Sequence, residues 1–252
     1  MIPLLSTSGL TVTFGVTRAN DDVSIEVNAG ELVGFIGPNG AGKTTFVDAL
    51  TGFVPSSGRI DFDGREIQGL PAHRRTRLGL GRTWQSLDLF DDLTVKENLM
   101  VAAQRQSTIG FLADLVHPTR RRDDADVDHA LGLLGIAHLA ERFPNEISQG
   151  HRKLVSAARA LAARPRLVCM DEPAAGLDPD ESHLLGRQLR SLVDGGTSVL
   201  LIDHDMNLVL DVCDRIYVLE FGRVIAHGTP YEVRNDPAVV AAYLGSIDED
   251  GS

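Results

Sequence analysis

The chain has 252 residues, 43% of them hydrophobic and 23% charged, enough to bury a large core without disulfides or structural metal. Twenty-four basic against 35 acidic residues leave a formal charge of −11, which excludes a protein that grips nucleic acid by bulk phosphate neutralisation. Two cysteines, Cys169 and Cys213, exclude a disulfide framework, and the histidines show no metal-ligand spacing.

In chain order, residues 4–14 and 23–27 alternate apolar and polar side chains, the period of half-buried strands. Leu32–Ile36 is a continuous apolar run leading into Gly37, as expected of a strand covered on both faces in a parallel sheet. A helix is predicted over 42–50, then a turn at Pro55-Ser56-Ser57-Gly58 and a short strand over 59–63. Between 95 and 163 helix formers dominate, interrupted at Pro118 and Pro144. Strands return at 167–170 and 198–202, with a helix over 181–193 between them. A hairpin pairs 216–220 with 223–226 across Phe221-Gly222, and a last helix covers 237–244. Strand–helix alternation around a helical insert predicts an α/β core with an inserted helical subdomain. No apolar stretch has the length of a membrane span, and Met1–Ser6 lacks the basic and apolar parts of a secretory signal, so a cytoplasmic location is expected.

Gly37-Pro38-Asn39-Gly40-Ala41-Gly42-Lys43-Thr44 is a phosphate loop set between a buried strand and a helix. Its glycines let successive backbone N–H groups turn toward phosphate oxygens, and the helix start adds partial positive charge. Lys43 is expected to bridge the β- and γ-phosphates of a nucleoside triphosphate, Thr44 to ligate Mg²⁺, and Thr45 to add to the nucleotide contacts. Leu167-Val168-Cys169-Met170 runs apolar into Asp171-Glu172. An isolated acidic pair often only caps a strand. Beside a phosphate loop, Asp171 suits Mg²⁺ through a water, and Glu172 suits a base that polarises water in line with the γ-phosphate.

With these motifs in place, the sequence resembles an ABC transporter ATP-binding subunit over essentially its whole length. Gln85, in Gly81-Arg82-Thr83-Trp84-Gln85, matches the family's glutamine that senses Mg²⁺ and the attacking water. Ile147-Ser148-Gln149-Gly150-His151 lies where the signature motif is found, Ala175-Gly176-Leu177-Asp178 matches the D-loop, and His204 matches the switch histidine. Phe14 stands where the family stacks an aromatic ring on adenine. The signature departs from Leu-Ser-Gly-Gly-Gln at Ile147, Gln149 and His151 but keeps Ser148 and Gly150.

The resemblance implies an ABC ATPase fold: a core with a mostly parallel sheet, an N-terminal antiparallel β subdomain and an inserted α-helical subdomain. The chain is then a single nucleotide-binding domain, with 1–86 and 164–252 forming the core and 87–163 the helical subdomain. It further implies head-to-tail pairing with a second ATP-binding subunit, so that Ser148 and Gly150 of one chain serve the ATP held by the other, with Asp178 of the D-loop among the nucleotide-binding residues. Integral-membrane permease subunits, an extracytoplasmic solute-binding protein and a position at the inner face of the membrane follow from the same resemblance.

Arg77–Gln85, Asp171–Leu177 and Gly228–Gly245 resemble the importers of branched-chain amino acids, urea and short amides, while relatives serving lipopolysaccharide export share much of this. Soluble ABC ATPases without a permease and non-ABC phosphate-loop kinases are the other readings; the kinases lack the signature and D-loop elements. Arg74-Arg75-Thr76-Arg77 and Arg120-Arg121-Arg122 can be read as lipid or nucleic-acid contacts, but the net negative charge favours solvated faces and no nucleic-acid partner. Leu87, Leu89 and Phe90 are expected to include at least one exposed side chain facing a permease.

Overall fold

The computed structural model describes residues 2–83, 89–103 and 120–245. The chain opens with β1 (Leu5–Phe14), β2 (Thr17–Val23) and β3 (Glu26–Val27), then enters β4 (Leu32–Ile36) and α1 (Lys43–Thr51). It continues through β5 (Ser57–Phe62), β6 (Arg65–Glu66), α2 (Ala72–Arg77) and β7 (Leu80–Arg82). The helical stretch contains α3 (Val95–Ala103), α4 (Arg120–Leu133) and α5 (Gln149–Ala162). Then come β8 (Leu167–Asp171), α6 (Pro179–Asp194), β9 (Ser198–Ile202), α7 (Met206–Val212), β10 (Arg215–Glu220) and β11 (Arg223–Gly228). Two short helices, α8 (Pro230–Arg234) and α9 (Pro237–Gly245), end the described chain.

Two sheets organise these elements. The larger runs β11-β10-β4-β9-β8-β7, parallel throughout except for the β10–β11 hairpin. The smaller pairs β1 antiparallel with β2, β3 and β5, and β5 with β6. The expected α/β class with a parallel core, an antiparallel β unit and a helical insert is the fold observed.

The central strands are fully buried because each supplies both faces. Val33 and Phe35 of β4, Leu200 and Ile202 of β9, and Leu167 and Cys169 of β8 pack against Phe46 and Leu50 of α1 and Leu5, Leu10 and Phe62 of the small sheet. Their neighbours Leu32, Ile36, Val199, Leu201, Val168 and Met170 belong to a second core with Leu99, Leu131, Val155, Leu161, Leu185 and Leu189 from the helices. Period-two alternation of a wholly apolar strand thus joins two cores, and each buried Leu, Val, Ile or Phe contributes about 1.5–3 kcal/mol. The rings of Phe35 and Phe46 pack with centroids 4.6 Å apart, tilted by 32°, and fix α1 against the strand that precedes it.

The strand expected over 23–27 is broken: β2 ends at Val23 and β3 is only Glu26–Val27. Asp22 takes φ 59°, and the Ser24 hydroxyl accepts the Gly9 amide, so side-chain bonding replaces the ladder there. Leu89 is buried in the helical core, whereas Phe90 is 45% exposed with the Arg159 guanidinium over its ring. Leu87 lies outside the described residues.

Candidate functional site

The phosphate loop is shaped by its neighbours. β4 delivers the chain to Gly37, where a Cβ would sit 2.0 Å from the Leu219 carbonyl oxygen of β10. At Gly42 (φ 102°) a Cβ would come within 2.3 Å of the Ala19 carbonyl oxygen. Only glycine passes at both points. The loop is braced from outside as well: Gly222 donates its amide to the Ala41 carbonyl (2.9 Å) and accepts from the Asp21 amide (2.8 Å). Asn20, wholly buried, donates its side-chain N–H to the Gly42 carbonyl at 3.1 Å. No side chain caps α1, so the N–H groups of its first turn keep their capacity to bind an anion.

Lys43 folds back over the loop, its ammonium donating to the carbonyls of Gly37 (2.6 Å) and Pro38 (3.0 Å). Burial pushes its pKa down, against the opposing pull of Glu172, Asp171 and Asp203. Thr44 and Thr45 follow, half-buried, in the first turn of α1.

Facing this loop is the end of β8. The Asp171 side chain is 1% exposed, and neither carboxylate oxygen has a hydrogen-bond partner among the described residues. Its nearest cation, Arg82, stands 3.8 Å away and is itself paired with Asp48 of α1. Burial raises the Asp171 pKa, Arg82 lowers it, and Glu172 and Asp48 raise it further. An unsatisfied buried carboxylate of this kind costs free energy unless a cation or its water completes it, so the donor set fits a hard divalent ion.

Glu172 leaves the strand with φ 50°, a left-handed backbone rare for a side chain of this size, and its amide donates to the Ile202 carbonyl at 2.7 Å. Its Oε1 lies 3.8 Å from His204 Nδ1, and that nitrogen lies 3.7 Å from Asp203 Oδ1. Sequence reasoning missed Asp203, which is fully buried and accepts three backbone amides. The available signal was its place directly after the apolar strand Ser198–Ile202, the place Glu172 holds after β8.

A second group of predicted residues gathers elsewhere. Ser148 is the N-cap of α5: its hydroxyl accepts the His151 amide at 3.2 Å and lies 3.0 Å from the His151 ring nitrogen Nδ1. Gly150 packs beneath Leu177 of the D-loop, and Lys153 donates to the Ala175 carbonyl. Asp178 caps α6 in a reciprocal box with Glu181, at 2.8 and 3.1 Å. Among the described residues no hydrogen bond or ion pair joins Ser148, Gly150 or Asp178 to residues 37–44. Phe14 ends β1 at 53% exposure, and Gln85 lies outside the described residues.

The glycine-shaped loop at the end of a parallel strand, with a buried acid on the neighbouring strand but one, defines the class: a phosphate-loop nucleoside triphosphatase. Comparison with known proteins narrows this. The model of the ABC transporter family matches residues 20–175, and a model described as branched-chain amino acid ATP-binding cassette transporter matches residues 223–249. The high-affinity branched-chain amino acid transport ATP-binding protein BraF of Pseudomonas aeruginosa is 42% identical over 252 residues, covering 96% of this chain and 98% of its own length. The lipopolysaccharide export system ATP-binding protein LptB of Escherichia coli is 39% identical over 242 residues, covering 96% of this chain and 97% of its own length. The crystal structure of an ATP-binding cassette of an ABC transporter in its ADP conformation superposes with a TM-score of 0.86 at 32% identity, covering 97% of this chain and 100% of that one. The chain belongs to the ABC transporter family and is one of its ATP-binding ATPase subunits.

Proposed function

We propose that this chain hydrolyses ATP to power a multi-subunit importer of branched-chain amino acids or related small solutes. The observation that carries the chemistry is the buried, unsatisfied Asp171 carboxylate at the end of β8, near enough to the loop's Lys43 to hold its ammonium charge against burial. The loop amides and Lys43 bind the phosphates, Phe14 supports the adenine, and Glu172 orients the attacking water while His204 senses the γ-phosphate. Thr44, Asp171 and Gln85 are the residues that would hold Mg²⁺, which supplies charge neutralisation on the phosphate oxygens when bound. Ser148, Gly150 and Asp178 serve a second ATP-binding subunit. The packing of Gly150 against Leu177 and the Lys153–Ala175 bond, which gather these residues around the D-loop, support that reading.

The solute class is supported by the 42% identity to BraF and by the match over residues 223–249. Among the described residues no helix is long and apolar enough to cross a membrane, so permease subunits carry the solute and hold this subunit at the inner face of the membrane. A solute-binding protein delivers it from the other side, and no nucleic acid takes part. The chain acts as a single domain, with 1–86 and 164–252 as core and 87–163 as helical subdomain. Reconstitution of the chain with its permease subunits in proteoliposomes tests this reading. ATP-dependent uptake of leucine or valine is expected. Outward movement of lipopolysaccharide, in line with the 39% identity to LptB, would replace the solute assignment.

A further inference from the structure

The β8–β9 ladder ends at the pair Asp171–Ile202, and the Glu172 amide adds one more bond to the Ile202 carbonyl. Beyond that point the two chains separate, one carrying Glu172 and the other His204. The Asp203 side chain spans the gap. Its Oδ1 accepts the amides of His204 (2.8 Å) and Asp205 (3.0 Å), and its Oδ2 accepts the amide of Ala174 (3.2 Å), two residues past Glu172. A fully buried carboxylate thus takes the place of the next rung of the sheet.

We propose that Asp203 is a positioning residue for ATP hydrolysis, cross-linking the loop after Glu172 to the loop that carries His204. Both linked residues are geometrically demanding. Glu172 holds a left-handed backbone that its surroundings must enforce, and its carboxylate stands 3.8 Å from the His204 ring. Three converging N–H donors require an acceptor-only group. An asparagine of the same shape turns its own NH₂ toward at least one of them, so the carboxylate, and not merely its volume, closes the link. Burial raises the Asp203 pKa, and these three bonds and His204 oppose it only in part.

This inference rests on the assignment of Glu172 and His204 to hydrolysis, and the test separates the two. Asp203→Asn and Asp203→Ser are prepared in the full chain beside Glu172→Gln. The expected result is a fall in kcat of about 10- to 100-fold, with KM and the Kd for a fluorescent ATP analogue unchanged within about twofold. In the Glu172→Gln background, Asp203→Asn adds no further loss of single-turnover phosphate release. Parental kcat in a folded Asp203→Asn, or equal losses of kcat and nucleotide affinity, would overturn the proposal. Rapid hydrolysis by Glu172→Gln would instead overturn the assignment beneath it. Hydrogen exchange of the parent gives a reading that needs no variant: the Ala174 amide should be protected, and exchange at the rate of an open loop contradicts the link.

Discussion

The His151 ring nitrogen Nδ1 stands 3.0 Å from the Ser148 hydroxyl that caps α5. His151 is the position where this signature departs from the family's glutamine, and the ring of His138 approaches it edge-on at 6.1 Å. The histidine therefore supports the serine from within its own helix turn, a task a glutamine amide can also perform. His151→Gln should leave ATPase activity within a few-fold of the parent in a steady-state phosphate-release assay. Ser148→Arg should block closure of the ATP-bound pair, read by size-exclusion chromatography in a Glu172→Gln background. Loss of hydrolysis in His151→Gln with nucleotide binding intact would show that the ring does more than support.

Asp171 makes a prediction that runs against intuition. Its folded pKa is raised above the ordinary 3.8, chiefly by burial, so the ionised form is destabilising in the nucleotide-free protein. Its contribution to stability is greatest below the unfolded pKa and is lost as pH rises through the folded value. At neutral pH Asp171→Asn should then match or exceed the parent in nucleotide-free stability, by up to about 1–3 kcal/mol. For a chain of this size that corresponds to about 2–4 °C in Tm per kcal/mol. Mg²⁺-ATP should raise the parent's Tm much more than the variant's. A large drop in nucleotide-free Tm for Asp171→Asn would mean that the Arg82 contact outweighs the burial cost.

The fold was legible where local pattern and tertiary role coincide. Leu32–Ile36 and Ser198–Ile202 appear with their expected bounds because a short apolar run with glycine just before it suits a strand covered on both faces and is too short for a buried helix. The phosphate loop was equally legible, since its glycines, lysine and threonine are contiguous. β2 was not: Thr17 to Asp22 is polar, and it is held as a strand by pairing with β1 and by the Asp21–Arg223 ion pair, a contact distant in sequence. α7 carried a readable start that was overlooked, Asp205 capping the amides of Asn207 and Leu208. Asp203 escaped because its partners come from the loops after two separate strands, and a lone acid after a strand does not announce them.

Of the two described apolar residues in the segment after β7, Phe90 is exposed and Leu89 is core. Asn98 holds Phe90 through both backbone groups, at 2.9 and 3.0 Å, so the ring is presented from a fixed position. Phe90→Glu should leave basal ATPase in the isolated subunit within about twofold, because a surface change of this kind costs little stability. In the reconstituted transporter it should depress uptake far more strongly. Equal losses in both assays would place Phe90 in the core's service and not at a membrane partner.

Glu172, held at φ 50° with its carboxylate 3.8 Å from His204, is the proposed base for hydrolysis. The measurement is steady-state phosphate release by purified Glu172→Gln beside the parent, with ATP affinity determined on the same samples. A general base of this kind contributes about 10²- to 10⁴-fold, so release should fall by that factor while ATP affinity is kept. Parental release by the variant, at parental affinity, would remove Glu172 from the reaction and the proposed site with it.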